Sequence, residues 1–263
     1  MKIVVLASGS LPHIFLVNQI EARFGVARVI FERIDETGWV RSFARDLKRH
    51  GTSYSLNKSL FVLYRTIVLD RRRKRIEGEI FGESPCAVPP ERTIKVPSVN
   101  SPETHREPEQ IQPDILVVVG TSILSAETIG KAGVAINLHR GILPFYRGID
   151  AVVAALRLGD QDRIGVTVHS VVPRVDAGDV LAQEVVLIEP DDNLERLEAR
   201  VFRCGVNLML DLLAAYRDNG RFPVLRRNFP ASSDTLFFAR TYSEHARAVL
   251  NLRLAAAGAA RTS

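Results

Sequence analysis

Residues 134–148, VAINLHRGILPFYRG, decide how this chain is read. Val134, Ala135 and Ile136 open a short apolar strand, the pattern turns polar at Asn137 and His139, and the stretch leaves through a loop carrying Gly141, Pro144 and Gly148. Side chains two apart on a strand share a face, so Asn137 and His139 are predicted to enter one pocket while Leu138 turns into the core. Downstream, RVDAGD (174–179) places the Asp176 carboxylate in a turn between two predicted strands. An amide, an imidazole and a carboxylate can together hold a carbonyl oxygen and move a proton.

Outward from that stretch, the chain alternates strands and helices. Lys2 to Ala7 reads as a buried strand, Ser8-Gly9-Ser10 as a turn, Pro12 to Phe24 as a helix and Val26 to Phe31 as the next strand. A βαβ opening predicts a parallel sheet. Helices are expected over 38–50 and 57–75, the second ending in Arg71-Arg72-Arg73-Lys74-Arg75, and Gly82 to Pro113 is expected to be mostly loop, with a short strand over Lys95 to Val99. The basic run reads as a solvated face, because no aromatic residue is interleaved to stack on nucleic acid. Ile115 to Val119, Ile164 to Val172 and Val180 to Ile188 read as strands, and Asp150 as the cap of a helix through Leu158. A lone strand histidine, His169 reads as a packed or hydrogen-bonded residue rather than a catalyst. Asp191 to Glu195 opens a helix whose Leu194, Leu197, Val201, Leu208, Leu212 and Tyr216 face the core until Gly220. The tail holds Leu236-Phe237-Phe238 and a last helix over Ser243 to Ala257. No internal repeat is evident.

The 263 residues, 46% of them apolar, are ample for a buried core. Apolar runs such as Ile115 to Val119 fall far short of the roughly 20 residues a membrane span needs, and the segment Ile3 to Ala7 is too short for a signal-peptide core. A cytoplasmic protein is expected. Cys86 and Cys204 lack the spacing of a disulfide framework or a zinc site, so no metal is expected. A net charge of +5 favours anionic partners, nucleotides and phosphates as much as nucleic acid. Arginine outnumbers lysine, which suits phosphate contact, although a biased base composition gives the same excess.

Taken with Gly165-Val166-Thr167-Val168-His169 and Leu181-Ala182-Gln183, three motifs carry a resemblance: Asn137-x-His139, Leu143-Pro144 followed by Gly148, and Asp176-x-Gly178. The chain resembles the folate-dependent formyltransferase family over residues 1 to 187, most strongly in the second half. The resemblance implies an α/β fold with a Rossmann-like, mostly parallel sheet over residues 1–188, and a C-terminal helix and tail over 189–263 packing on it. It implies N10-formyltetrahydrofolate as co-substrate, with Asn137, His139 and Asp176 catalytic. Ser122, Ile123 and Leu124 of the Gly120 to Leu124 loop, with Leu143, Pro173 and Val175, would hold the folate. Ser8, Gly9, Ser10, Arg140, Tyr146 and Arg147 would meet the acceptor. Two positions depart from the family: Ser122 stands where an Arg is frequent, and Arg140 where a Pro is frequent.

The acceptor is expected to be a small-molecule amine, first among them a nucleotide-linked amino sugar. The tRNA-directed members carry a C-terminal β-barrel for which the residues after Gly220 leave no room. A glycinamide ribonucleotide or methionyl-tRNA type formyltransferase is the alternative, and a non-catalytic folate- or nucleotide-binding homologue is the competing class. Such a homologue would be expected to lose Asn137, His139 or Asp176. A dinucleotide oxidoreductase is disfavoured, because Gly-x-Gly-x-x-Gly is absent after the first strand. A homodimer is open. His139 is expected to face an open cleft, with its side chain contributing little to the core.

Overall fold

The computed structural model describes residues 1–33, 39–225, 237 and 242–262, of which 39–50 and 261–262 by backbone alone. Leu236 and Phe238 and the first residue of the helix expected over 38–50 lie outside the described residues. Seven strands form one sheet in the order β3-β2-β1-β4-β5-β6-β7. These are β1 (Ile3–Ser8), β2 (Arg28–Glu32), β3 (Thr93–Val96), β4 (Ile115–Val119), β5 (Val134–His139), β6 (Gly165–Ser170) and β7 (Val180–Val185). The first five run parallel, and β6 and β7 are antiparallel to their neighbours. The α/β class with a mostly parallel sheet is therefore the observed one.

Both faces of the central strands β1 and β4 are covered, which is why they are apolar without alternation. Ile3, Val5, Val117, Ile136 and Leu138 face one core, shared with α1 (Leu11–Phe24), α3 (Asp70–Phe81), α6 (Ala151–Leu158) and α7 (Leu194–Asn219). Val4, Leu6, Leu116, Val118 and Ala135 face a smaller one, under Ile111 of α4 (Pro102–Ile111) and Ile129 of α5 (Ala126–Ile129). By the period of two, Asn137 and His139 lie on the second face. Among the described residues, Ala135 is the last of β5 to join that cluster.

One expectation needs correction and another is met in part. The stretch from Gly82 to Pro113 is not mostly loop, for it contains α4. Ser101 accepts the Thr104 N–H as N-cap, Pro102 occupies the first turn where its missing N–H costs nothing, and Glu103 meets the positive helix end. The interior Pro108 hides this helix from a reading that treats proline as a breaker. Asp150 is the N-cap residue of α6, with its carbonyl accepting the Ala154 N–H at 2.9 Å, but its side chain makes no capping hydrogen bond.

The helix expected over 57–75 is longer. α2 (Trp39–Tyr64), broken at Gly51 with φ 82°, passes through a π-helical stretch, Arg65–Leu69, into α3. The basic run within it is only partly solvated: Arg72 reaches Glu195 at 2.6 Å and Arg73 reaches Glu198 at 2.6 Å, and both carboxylates are buried on α7. α8 (Tyr242–Thr262) closes the order, packing on α6 and α2. Among the described residues no helix is long and apolar enough to cross a membrane.

Candidate active site

Antiparallel pairing sets Asn137 opposite His169 and His139 opposite Thr167. The turn after β6 then folds back over this pair, with Asp176 at φ 46°, a left-handed conformation that Asp and Asn tolerate better than most residues. Asn137 Nδ2 lies 3.1 Å from His169 Nε2, which is 3.4 Å from Asp176 Oδ1, while Asp176 Oδ2 is 3.5 Å from His139 Nδ1 and accepts the Gly148 N–H at 2.7 Å. The three residues expected to be catalytic thus share one cluster, joined through a fourth. His169 is both buried and hydrogen-bonded, as expected, and strand register, a tertiary fact, adds its place between Asn137 and Asp176.

Hydrogen-bond partners fix the tautomers. His139 Nε2 lies 2.7 Å from the Tyr146 carbonyl and His169 Nδ1 lies 2.8 Å from the Ser170 carbonyl. A carbonyl only accepts, so each of those nitrogens carries a proton. In the neutral rings, His139 Nδ1 and His169 Nε2 therefore turn lone pairs toward the carboxylate. One added proton converts such a facing into a charge-assisted hydrogen bond.

Burial lowers the His139 pKa below the usual imidazole value, with Asp176 opposing. Burial by itself would raise the Asp176 carboxyl, but His139, His169 and the Gly148 N–H outweigh it and hold it below the usual carboxylate range. Asp176 is accordingly the ionised member and His139 the neutral one. His139 is only 6% exposed, so the expectation that it faces an open cleft fails.

Other expected residues divide. Leu143 is core, and its amide and carbonyl are taken by Thr167 and Gln183 at 3.3 and 3.0 Å. Tyr146 is buried with its hydroxyl donating to Asp160 at 2.8 Å. Arg147 is fully buried and donates from Nε to the Val175 carbonyl at 3.0 Å, tying down the Asp176 turn. These contacts hold Leu143, Tyr146 and Arg147 within the fold, Arg147 through the Val175 carbonyl. Ser122 donates through its amide and hydroxyl to Glu32, each at 2.6 Å, and Glu32 also accepts the Val99 N–H. Glu32, at the end of β2, was not foreseen; it fastens the Gly120 to Leu124 loop.

Ile123 stands 60% exposed beside buried Leu124, and Val172 38% exposed beside Val171; Leu124 and Val171 belong to one apolar cluster. The loop and the Pro173 to Asp176 turn therefore flank a common apolar edge, as a flat heteroaromatic ring requires.

On the other side lie Ser8, Gly9 and Ser10. Chain order reverses between β1 and β4, the place where open α/β sheets receive ligands. Here Ser8 Oγ meets His13 Nδ1 at 2.6 Å, and the His13 ring lies against Gly120, where a Cβ would fall 2.0 Å from Cε1. The Arg140 charge is felt at His13, His139 and Glu77.

Burial and the Arg140 charge, only partly offset by Ser8, bring the His13 pKa down to about 3. Because the folded value lies below the unfolded one, the native state resists a proton that the unfolded chain accepts. Stability is therefore fully present above the ordinary imidazole value of 6.5 and drains as pH falls from there toward 3. We expect the melting temperature to drop across that window in wild type and to drop distinctly less in His13→Gln; equal slopes would remove His13 from the effect.

Residues 70–213 match the family model described as Formyl transferase. A methionyl-tRNA formyltransferase from Roseiflexus castenholzii is 33% identical over 150 residues, 51% of this chain and 46% of that protein, so the chain spans about half the length of the curated relatives it matches. A solved sugar N-formyltransferase from Shewanella superposes with a TM-score of 0.58 at 14% identity, over 96% of this chain and 87% of that one. A phosphoribosylglycinamide formyltransferase from Streptococcus pneumoniae does so with a TM-score of 0.54 at 21% identity, over 82% and 98%. At these identities the structural likeness is one of fold.

Proposed function

The chain belongs to the formyl transferase family, and on that premise we propose that it moves a formyl group from N10-formyltetrahydrofolate to the primary amine of a small molecule, a nucleotide-linked amino sugar. The observation that carries this reading is the buried cluster of Asn137, His169, Asp176 and His139, which offers an amide donor and one vacant proton position side by side. The apolar edge at Ile123 and Val172 suits the pterin of the donor. When bound there, the donor supplies a formyl carbon on a nitrogen that leaves once protonated.

Acyl transfer to an amine removes one proton from the attacking nitrogen and returns one to the leaving nitrogen. The protein has only to hold that proton in between. Asn137 uses one amide hydrogen on His169 and keeps the other for the oxygen that gains negative charge, a contact typically worth about 3 kcal/mol. His139 has its Nε2 proton anchored on Tyr146, so its Nδ1, facing Asp176, is where the transient proton rests. His169 keeps Asn137 and Asp176 in register and acts through them as a positioning residue.

For the acceptor, Arg140 and the exposed Arg174 give the cleft a positive rim suited to a nucleotide diphosphate. The second reading is methionyl-tRNA, the substrate named for the relatives that share 33% identity.

The test is incubation of the purified protein with formyltetrahydrofolate and, in parallel, nucleotide-linked amino sugars, glycinamide ribonucleotide and methionyl-tRNA, with products read by mass. A formylated sugar nucleotide is expected. Product from methionyl-tRNA or glycinamide ribonucleotide alone would reassign the acceptor. No product from any acceptor, together with tight binding of a stable formyl-folate analogue, would leave a binding homologue.

A further inference from the structure

Away from the cleft, seven large aliphatic side chains on two neighbouring helices stand in solvent among the described residues. On α2 and the π-helical stretch these are Leu56, Leu60, Leu63, Ile67 and Val68, exposed by 63, 52, 57, 58 and 44%; on α8 they are Leu250 and Leu254, by 57 and 64%. The two helices touch through Tyr64 against Tyr242 and through Asn57 against Ser243. Isolated exposed leucines are ordinary, but a contiguous row of them marks an interaction surface.

The spacing selects the occupant. Positions 56, 60, 63 and 67 repeat at four, three and four residues, the narrow seam by which one helix packs on another rather than the broad apolar face with which a helix lies on a bilayer. The residues flanking the seam, Thr52, Ser53, Asn57, Ser59 and Thr66, carry no charge, in a chain with 25% charged residues. Two copies can therefore approach along it without like charges meeting, and a seam that is its own complement is what a two-fold dimer needs. An acidic partner or an anionic membrane would instead call for cations along those flanks.

We propose that this face is the interface with a second copy of the chain, α2 packing on α2 along the Leu56 to Ile67 seam with α8 alongside. Such a contact would steady the arm that continues into α3, whose Arg72 and Arg73 grip α7 and whose Glu77 lies within the field of Arg140. The proposal is independent of the chemistry assigned to the cleft.

Sedimentation of the full chain at micromolar concentrations tests it, with Leu60→Glu/Leu63→Glu as the variant. Wild type should sediment as a dimer, and the variant as a monomer with an unchanged melting temperature, its dissociation constant raised at least about tenfold by charge placed in an apolar seam. A wild type that stays monomeric, or a variant that still dimerises, overturns the proposal. Should the double variant melt early, Leu56→Lys takes its place under the same criteria. Flotation with phosphatidylglycerol vesicles is the remaining arm: wild-type monomer that floats, and variant that does not, would make the face a membrane surface and overturn the dimer.

Discussion

Asp176→Asn is expected to leave a folded protein whose kcat has fallen on the order of a hundredfold or more, with KM for either substrate little changed. The backbone favours the replacement, because φ 46° is a conformation that Asn adopts as readily as Asp. One side-chain oxygen can keep the Gly148 N–H, now 2.7 Å away. With the oxygen on Gly148, the new amide group stands where Oδ1 faces His169 Nε2 at 3.4 Å and can share that nitrogen's lone pair with the Asn137 amide. The melting temperature should therefore hold. What disappears is the negative charge that makes a proton on His139 tolerable in a buried site. Steady-state kinetics beside thermal denaturation decide the matter: near-normal kcat would take Asp176 out of the proton path, and a collapsed melting temperature would make its role structural. His139→Ala is a poorer probe, since it also empties a buried site.

The largest loss of stability is expected from Gly178→Ala. A Cβ at this position would stand 1.7 Å from the Ser170 carbonyl oxygen and 2.7 Å from its carbonyl carbon. Both are backbone atoms at the end of β6, and cannot swing aside as a side-chain tip does. Relief requires moving the Asp176 turn off the sheet, which would also disturb the Ser170 N–H bond to the Asp179 carbonyl and the Asp179 N–H bond to the Ser170 hydroxyl. The expected cost is about 3 kcal/mol or more, read as a lower urea midpoint, with residual turnover near zero even where the protein is still folded. A midpoint within experimental scatter of wild type would show that the close approach is not what demands glycine in Asp-x-Gly.

Much of the fold was legible because strands buried on both faces are written as unbroken apolar runs; Ile3 to Ala7 and Ile115 to Val119 announce themselves. The site's first half was legible for a related reason, since Asn137 and His139 interrupt such a run with the period of a single face. Where sequence reading failed, the deciding contact lay elsewhere in the chain. For Tyr146 and Arg147 the sequence does not show the partners, Asp160 and the Val175 carbonyl, that hold them in the fold. His169 earns its place from antiparallel register, and Glu32 from donors on two separate loops. α4 is a different case: its start signals, Ser101, Pro102 and Glu103, stand in the sequence, and the interior Pro108 contradicts them.

The strand reversal at β6 has a consequence for how the molecule assembles and diversifies. Asn137, His139, Gly148, His169 and Asp176 meet through loops closed within one stretch of chain, whereas the pocket wall at His13 and Gly120 joins segments far apart in sequence. Short loops cost less entropy to close, so the half proposed to handle the proton can consolidate as a local unit, while the half proposed to meet the acceptor waits for the ends of β1 and β4 to find each other. On the proposed reading, a lineage could rewrite the β1 turn and the arm after β2 without touching the Asn137–Asp176 cluster, and hydrogen exchange should see residues 134–185 open together as one cooperative block.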